Sequence, residues 1–140
     1  MQFVRFFARA PVNIALMPNR VNFIRHKGVE ILHIDWSGAA PAELLEAIAE
    51  AKRLIAAQPT GSVRTLTSVQ DAHMNRSVTD ALKEYVNHNK PYVLAGAVVG
   101  LNDLKMIAFN FVNRVTGRSL RAMDSLDAAK DWLASVRPGQ

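Results

Sequence analysis

Four polar residues with short spacing lie in the middle of the chain: Asp71, His73, Asn75 and Ser77. They follow a segment rich in β-branched residues and precede an amphipathic one, which predicts that a strand passes into a helix here. Open α/β sheets bind ligands at the carboxyl ends of their strands, so these side chains are the first candidates for a ligand or partner site. The alternative is an ordinary solvated loop, because loops are polar in most proteins.

Ser77 has two interpretations. A phosphate on its hydroxyl would meet free backbone N–H groups and the positive end of a helix dipole. A serine that has an acid three residues later, here Asp80, is also typical of a residue that caps a helix N-terminus. The pattern therefore predicts a helix capped by Ser77 and leaves phosphorylation open.

A second candidate site is a group of three arginines around Gly117, which is expected to end a helix. Arg114, Arg118 and Arg121 would together suit an anion. Cations are also favoured at any helix C-terminus, since they oppose the negative end of its dipole. Both interpretations remain open from the residues alone.

Other chemistries have no support in the sequence. The four histidines lack metal-ligand spacing, and the chain has no cysteine. No glycine-rich phosphate loop and no serine in a nucleophile elbow are found. We therefore expect a protein that is not an enzyme and that holds no metal and no cofactor. An enzyme that uses Asp71, His73 and Asn75 remains an alternative.

Length and composition predict one domain in a reducing compartment. The 140 residues are 49% hydrophobic, which is enough to fill a core, and the absence of cysteine suits the cytoplasm. The net charge of +5 arises entirely within the first 29 residues, and the remainder carries 12 basic and 12 acidic side chains. A balanced body argues against nucleic acid as a partner.

Residues 1–20 form a basic aromatic arm, and residues 21–140 form the expected α/β domain. The arm combines phenylalanines and arginines, namely Phe3, Arg5, Phe6, Phe7 and Arg9. This combination suits contact with a lipid or an anionic membrane surface. It equally suits a subunit interface, most simply that of a homodimer. No apolar run approaches the length that spans a bilayer.

Strand-like and helix-like segments alternate from Val21 onward. The expected strands cover 21–26, 29–36, 62–69, 92–99 and 118–123, and the expected helices begin at Pro41, Ser77, Asn102 and either Asp124 or Ser125. Helices between strands demand parallel pairing, while the first two strands read as an antiparallel hairpin. The fold class is thus α/β, with a mixed sheet of four or five strands and about four helices.

The third helix has the clearest apolar periodicity in the chain. Its apolar residues recur at helical spacing, and they are Leu104, Ile107, Ala108, Phe111, Val112 and Val115. A stripe of this kind predicts a helix face that is buried against the sheet.

Several segments resemble the SpoIIAA-like (STAS-type) superfamily, in particular a bacterial branch of it. The segments are Ile34-Asp-Trp-Ser-Gly38, Ser62-Val-Arg-Thr-Leu66, Asn89-Lys-Pro-Tyr-Val93 with Ala97-Val-Val-Gly100, Thr116-Gly-Arg118 and Ala129-Lys-Asp-Trp-Leu133. The order of strands and helices is similar as well, and it also resembles that of CRAL-TRIO lipid-transfer domains.

The resemblance implies a non-enzymatic module that binds a protein partner or regulates it. In SpoIIAA-type antagonists of anti-sigma factors, an Asp-Ser-Ser-Gly motif carries the phosphorylated serine where the third strand meets its helix. This chain has Val69-Gln-Asp-Ala-His-Met-Asn-Arg-Ser77 there, so only Ser77 lies near the switch position and the motif is lost. The likeness to CRAL-TRIO domains implies an alternative, a carrier or sensor of lipid or another apolar ligand with peripheral membrane contact.

Overall fold

A computed structural model describes residues 20–139, which form five strands and four helices. In chain order these are β1 (Val21–His26), β2 (Val29–Asp35), α1 (Pro41–Ala56), β3 (Val63–Ser68), α2 (Arg76–His88), β4 (Val93–Val99), α3 (Asp103–Thr116), β5 (Arg121–Met123) and α4 (Leu126–Ser135). The predicted arm of residues 1–20 lies outside the described residues except for Arg20.

The strands form one sheet in the order β1-β2-β3-β4-β5. β1 pairs antiparallel with β2, and all later pairs are parallel. The Lys27-Gly28 turn of the hairpin has positive φ at both residues, which matches the twist of the paired strands. The predicted fold class, a mixed α/β sheet with an antiparallel hairpin and four helices, is confirmed.

Each face of the sheet has its own apolar core. One core lies among β2, α1 and α2 and includes Leu32, Ile34 and Leu44. The other is formed by Ile31 and Leu66 of the sheet with Leu133 of α4. Since alternate residues of a strand point to opposite faces, β2 contributes to both cores. The nearly continuous apolar run of β2 is explained by this two-sided burial.

The hairpin is also joined to α4 by an exposed ionic contact. Asp131 of α4 accepts from Nε2 of His26 at 2.8 Å and lies 3.0 Å from Nζ of Lys27. These contacts lower the pKa of Asp131 through hydrogen bonds to His26 and Lys27. The first and last elements of the described chain are thereby linked.

Most predicted helix ends are confirmed. Pro41 is the first residue of α1, and Asn102 caps α3 by accepting from the backbone N–H of Lys105. Gly117 ends α3 with φ of 69°, and Ser125 rather than Asp124 caps α4. These signals act within one helical turn, so they need no tertiary information.

The predicted cap of α2 is wrong. Asn75 occupies the cap, where its side-chain oxygen accepts from the backbone N–H of Val78 at 2.9 Å. The helix therefore begins at Arg76, and Ser77 is an exposed residue within its first turn. Asp80, which seemed to complete a box with Ser77, instead lies near Arg76 and Lys83. Asparagine is as good a cap as serine, and starting here adds residues to the helix.

The predicted burial of the apolar residues of α3 is confirmed for Val112 and wrong for the others. Leu104 is 77% exposed, Ile107 67% and Val115 51%, whereas Val112 and Thr116 are buried. The side of α3 that faces the core is therefore the one that carries Val112 and Thr116. The four exposed large residues, Leu104, Ile107, Phe111 and Val115, are called the α3 stripe below.

The capping result can be checked by replacing each candidate with alanine. Asn75→Ala removes the acceptor for Val78, and we expect the free energy of unfolding to fall by about 1 kcal/mol. Ser77 is exposed, and Ser77→Ala removes no hydrogen bond within residues 20–139, so it should change this free energy by less than about 0.5 kcal/mol. Urea unfolding followed by circular dichroism measures both variants. A larger loss for Ser77→Ala than for Asn75→Ala would contradict the assigned cap.

Candidate functional site

The loop between β3 and α2 is held by backbone hydrogen bonds at the carboxyl edge of the sheet. Gly38 donates to the carbonyl of Gln70 at 2.9 Å, and His73 donates to the carbonyl of Ala39 at 2.9 Å. Asp71 has φ of 59°, a left-handed conformation that aspartate tolerates better than most residues. The loop is therefore an ordered feature next to the loop that follows β2.

The predicted site residues of this loop do not converge on one point. Asp71, His73 and Ser77 are exposed, and the side chain of Asn75 is used to cap α2. His73 alone of the four lines a groove, which runs between this loop and α3. The structure therefore places the predicted residues at the rim of a surface groove and assembles no catalytic group from them.

This groove, called the α3 groove below, is a wide apolar opening on the surface of the described residues. Its volume is about 820 Å³, and it has one wall from the start of α2 and the preceding loop and another from α3. Three residues of the α3 stripe line it, namely Leu104, Ile107 and Phe111. Contiguous exposed apolar surface of this kind marks interaction sites in folded proteins.

The charges around the α3 groove are positive. Lys105 and Arg114 line it, and no carboxylate does so within residues 20–139. Nζ of Lys83 and the guanidinium of Arg114 each lie 5.7 Å from the ring centre of Phe111. Cations over an aromatic face hold the ring in place by attraction to its negative π-surface. The groove therefore combines an apolar floor with cationic edges.

A second, polar cleft lies at the carboxyl ends of the strands on the α4 side of the sheet. Its volume is about 530 Å³, and His33, Asp35, Ser37 and Ser68 are among its lining residues. Nε2 of His33 lies 3.3 Å from Oγ of Ser68. The sequence analysis did not predict that these polar side chains lie together. The rule that ligands bind at the carboxyl ends of strands does indicate this edge of the sheet.

The groups in the polar cleft are used mainly to shape a turn. The carboxylate of Asp35 accepts from both the backbone N–H and the hydroxyl of Ser37, and Arg20 donates to the carbonyls of Asp35 and Ser37. Burial alone would raise the pKa of Asp35, but the hydrogen bonds from Ser37 and the charges of His33 and Arg20 together outweigh it and lower the pKa. The carboxylate of Asp35 thus helps to hold the turn that follows β2.

The three arginines predicted as an anion site have separate roles. Arg118 donates to the carbonyl of Val86 at 2.9 Å, and burial lowers its pKa. Arg114 lies over Phe111, while the guanidinium of Arg121 lies 5.0 Å from the ring centre of Trp132. The structure therefore does not bring the three side chains to one anion.

The remaining predictions concern the N-terminal arm, a metal site and a membrane-spanning helix. Phe3, Arg5, Phe6, Phe7 and Arg9 precede residue 20 and are not described. Within residues 20–139, no group of three or more histidine and acidic side chains is arranged to hold a metal ion. In the same range, no helix has both the length and the apolar character that crossing a bilayer requires.

Comparison with known proteins identifies the fold. No protein-family model and no curated protein sequence matches the chain. A solved structure, that of an anti-sigma-factor antagonist (STAS) domain protein from Planctomyces limnophilus, matches 82% of this chain and 98% of its own, with a TM-score of 0.58 and 10% sequence identity. The chain therefore has a STAS-type, SpoIIAA-like fold, which confirms the predicted resemblance at the level of the fold.

The pH dependence of stability follows from His33. Burial lowers the pKa of His33 below its ordinary 6.5, and the nearby charge of Lys130 acts in the same direction against the opposing charge of Asp35. Below pH 6.5 the unfolded chain therefore binds a proton that the folded chain resists. The contribution is complete above the unfolded pKa and is lost as the pH falls.

We expect the free energy of unfolding to decrease between about pH 7.5 and about pH 5.5, and to decrease less in His33→Gln. Urea titrations of both proteins at the two pH values measure the difference. The depressed pKa of Asp35 lies below this window and does not contribute to it. Equal slopes in the two proteins would exclude His33 as the cause.

Proposed function

We propose that this chain is a non-enzymatic STAS-type module that binds a protein partner through the α3 stripe. The observation that carries the proposal is the exposure of four large apolar side chains on one helix, beside the loop that joins β3 to α2. Isolated exposed apolar residues are normal, but a contiguous set at helical spacing is costly to leave in water.

The charges around the α3 groove specify the chemistry of the partner. Lys105 and Arg114 at its edge favour acidic residues, while Ile107 and Phe111 favour an apolar surface. We therefore propose an amphipathic segment of another protein, apolar on one side and flanked by aspartate or glutamate. An amphipathic helix laid in an apolar groove is a common way to bind such a segment.

The same charges argue against two other occupants. A second copy of this chain that bound through the same patch would place the cations Lys105 and Arg114 of both copies in one interface, with no carboxylate from either groove. The arm of residues 1–20 is basic and has no acidic residue to pair with them. The predicted homodimer therefore remains a separate prediction that measurement of the oligomeric state decides.

The structural neighbour agrees with a protein-binding role, since it is described as an anti-sigma-factor antagonist. We extend only the general role to this chain, a regulatory contact with a protein. Its cytoplasmic location, inferred from the lack of cysteine, is part of the same proposal. The alternative of a lipid carrier with membrane contact, which rests on the likeness to CRAL-TRIO domains and on the arm, remains a prediction.

A photo-crosslinking amino acid placed at Ile107 would identify the partner in cell extract, and the purified partner would then be tested for binding. We expect Ile107→Ser to weaken this binding by about tenfold or more, since apolar anchors dominate interface energies. Because Ile107 is exposed, the free energy of unfolding of Ile107→Ser should differ from that of the original protein by less than about 0.5 kcal/mol. Calorimetric titration measures the affinity, and urea unfolding measures the stability.

The matched control is Leu45→Ser, which removes an exposed leucine from α1 and should leave the affinity unchanged. Arg114→Glu should reduce the association rate, and the reduction should diminish at high salt. Equal affinities for the original protein and Ile107→Ser would contradict the proposal. A dimer that dissociates in Ile107→Ser would assign the stripe to a second copy instead.

Because the switch motif is lost, we also propose that this binding does not depend on phosphorylation of Ser77. Ser77→Asp places a negative charge in the first turn of α2, and we expect the affinity for the crosslinked partner to stay within about twofold, as for a peripheral contact. Titration calorimetry with Ser77→Ala as the matched control tests this. A change of tenfold in Ser77→Asp alone would restore the phosphorylation switch.

A further inference from the structure

A smaller cavity lies beneath α3, between that helix, α2 and the sheet. Its volume is about 100 Å³, and most of its lining is aliphatic or aromatic. Val112 of α3, Leu82 of α2 and Val98 of β4 are typical of its walls. A cavity of roughly 150 Å³ lined by such side chains admits benzene. This cavity is smaller, so a ring bound in it would extend toward the surface.

One polar atom among the residues that line this cavity has no partner. Trp36 is 3% exposed, and its Nε1 is buried without a hydrogen-bond acceptor in the described part of the chain. The indole packs against the ring of Tyr85, with ring centres 5.9 Å apart. A buried donor is normally paired, because burying it unpaired loses its hydrogen bond to water. The indole N–H of Trp36 therefore needs a hydrogen-bond acceptor from outside the described residues.

A lysine is among the residues that line the same cavity. Lys105 lines both the cavity and the α3 groove, as do Met74, Thr79 and Ala108, so the cavity communicates with the surface on this side. Lys105 is half-buried and makes no ion pair within residues 20–139. A half-buried ammonium group beside an apolar space favours an anion more strongly than one in open water.

We propose that this cavity binds a small aromatic molecule with a hydrogen-bond acceptor for Trp36 at one end and an anionic group for Lys105 at the other. The aliphatic walls would contact the ring, and the two polar groups would set its orientation. This site goes beyond the proposed protein-binding role: it lies on the inner side of α3 and shares Lys105 with the α3 groove. It is tested by a ligand and needs no partner protein.

The probe is 4-hydroxybenzoate, which has a phenolic oxygen and a carboxylate on opposite sides of one ring. Phenol and benzoate each retain one of the two polar groups. In proton–nitrogen correlation spectra of the full chain, the Trp36 indole N–H signal is assigned by comparison with Trp132→Phe, since the chain has two tryptophans. We expect 4-hydroxybenzoate to move this signal downfield and saturably, and to bind severalfold more tightly than phenol or benzoate.

Three variants locate the site. Ala108→Trp should abolish binding by blocking the opening, and it is placed on an exposed position so that folding is preserved. Lys105→Met should weaken 4-hydroxybenzoate by about tenfold and leave phenol unchanged, since only the charge-assisted contact is lost. Ile107 belongs to the α3 stripe and does not line the cavity, so Ile107→Ser should bind 4-hydroxybenzoate as the original protein does.

The proposal is overturned if none of the three compounds shifts the Trp36 signal at up to about 10 mM, a concentration that detects even millimolar affinity. It is also overturned if Ala108→Trp binds the probe normally. Loss of binding in Ile107→Ser would place the probe on the outer stripe and would equally exclude the cavity. These outcomes are independent of whether a partner protein uses the α3 stripe.

Discussion

The right-handed crossover between parallel strands is the constraint on which this structure depends. Because β2, β3, β4 and β5 follow one another across the sheet, the three helices that connect them must lie on the same face. α2 packs between α1 and α3, whereas within residues 20–139 α3 has a helix neighbour on one side only. No described element covers the outer side of α3, where Leu104 and Ile107 are exposed.

The position of α3 gives one helix two different surroundings. Val112 and Thr116 face the interior, where the packing with α2 and the sheet leaves a small apolar cavity beside Trp36. The opposite side bears the apolar stripe and the cationic edge of the groove. A molecule in the cavity and a protein on the stripe would both contact α3, and Lys105 is common to the two spaces. The two proposed sites therefore share residues of α3.

The carboxyl edge of the sheet shows how polar residues can serve structure rather than chemistry. Asp35 and Ser37 close a turn that Arg20 supports, and Asn75 caps a helix. The side chains of Asp35, Arg20 and Asn75 already satisfy backbone groups that would otherwise lose their hydrogen bonds to water. The candidate residues at 71–77 were predicted from their position after a strand, and that position is correct, but position alone does not supply convergence.

Local signals in the sequence determined the strands, the helices and most of their ends, because periodicity, Pro41, Asn102 and Gly117 act within a few residues. They also predicted the mixed sheet, since helices between strands allow little besides parallel pairing. Only the tertiary structure decided which side of α3 is buried. That helix is apolar on two sides, and its packing against α2 and the sheet determines which of them faces the core. The contact of His33 with Ser68, 35 residues apart, likewise depends on strand order, which no local pattern contains.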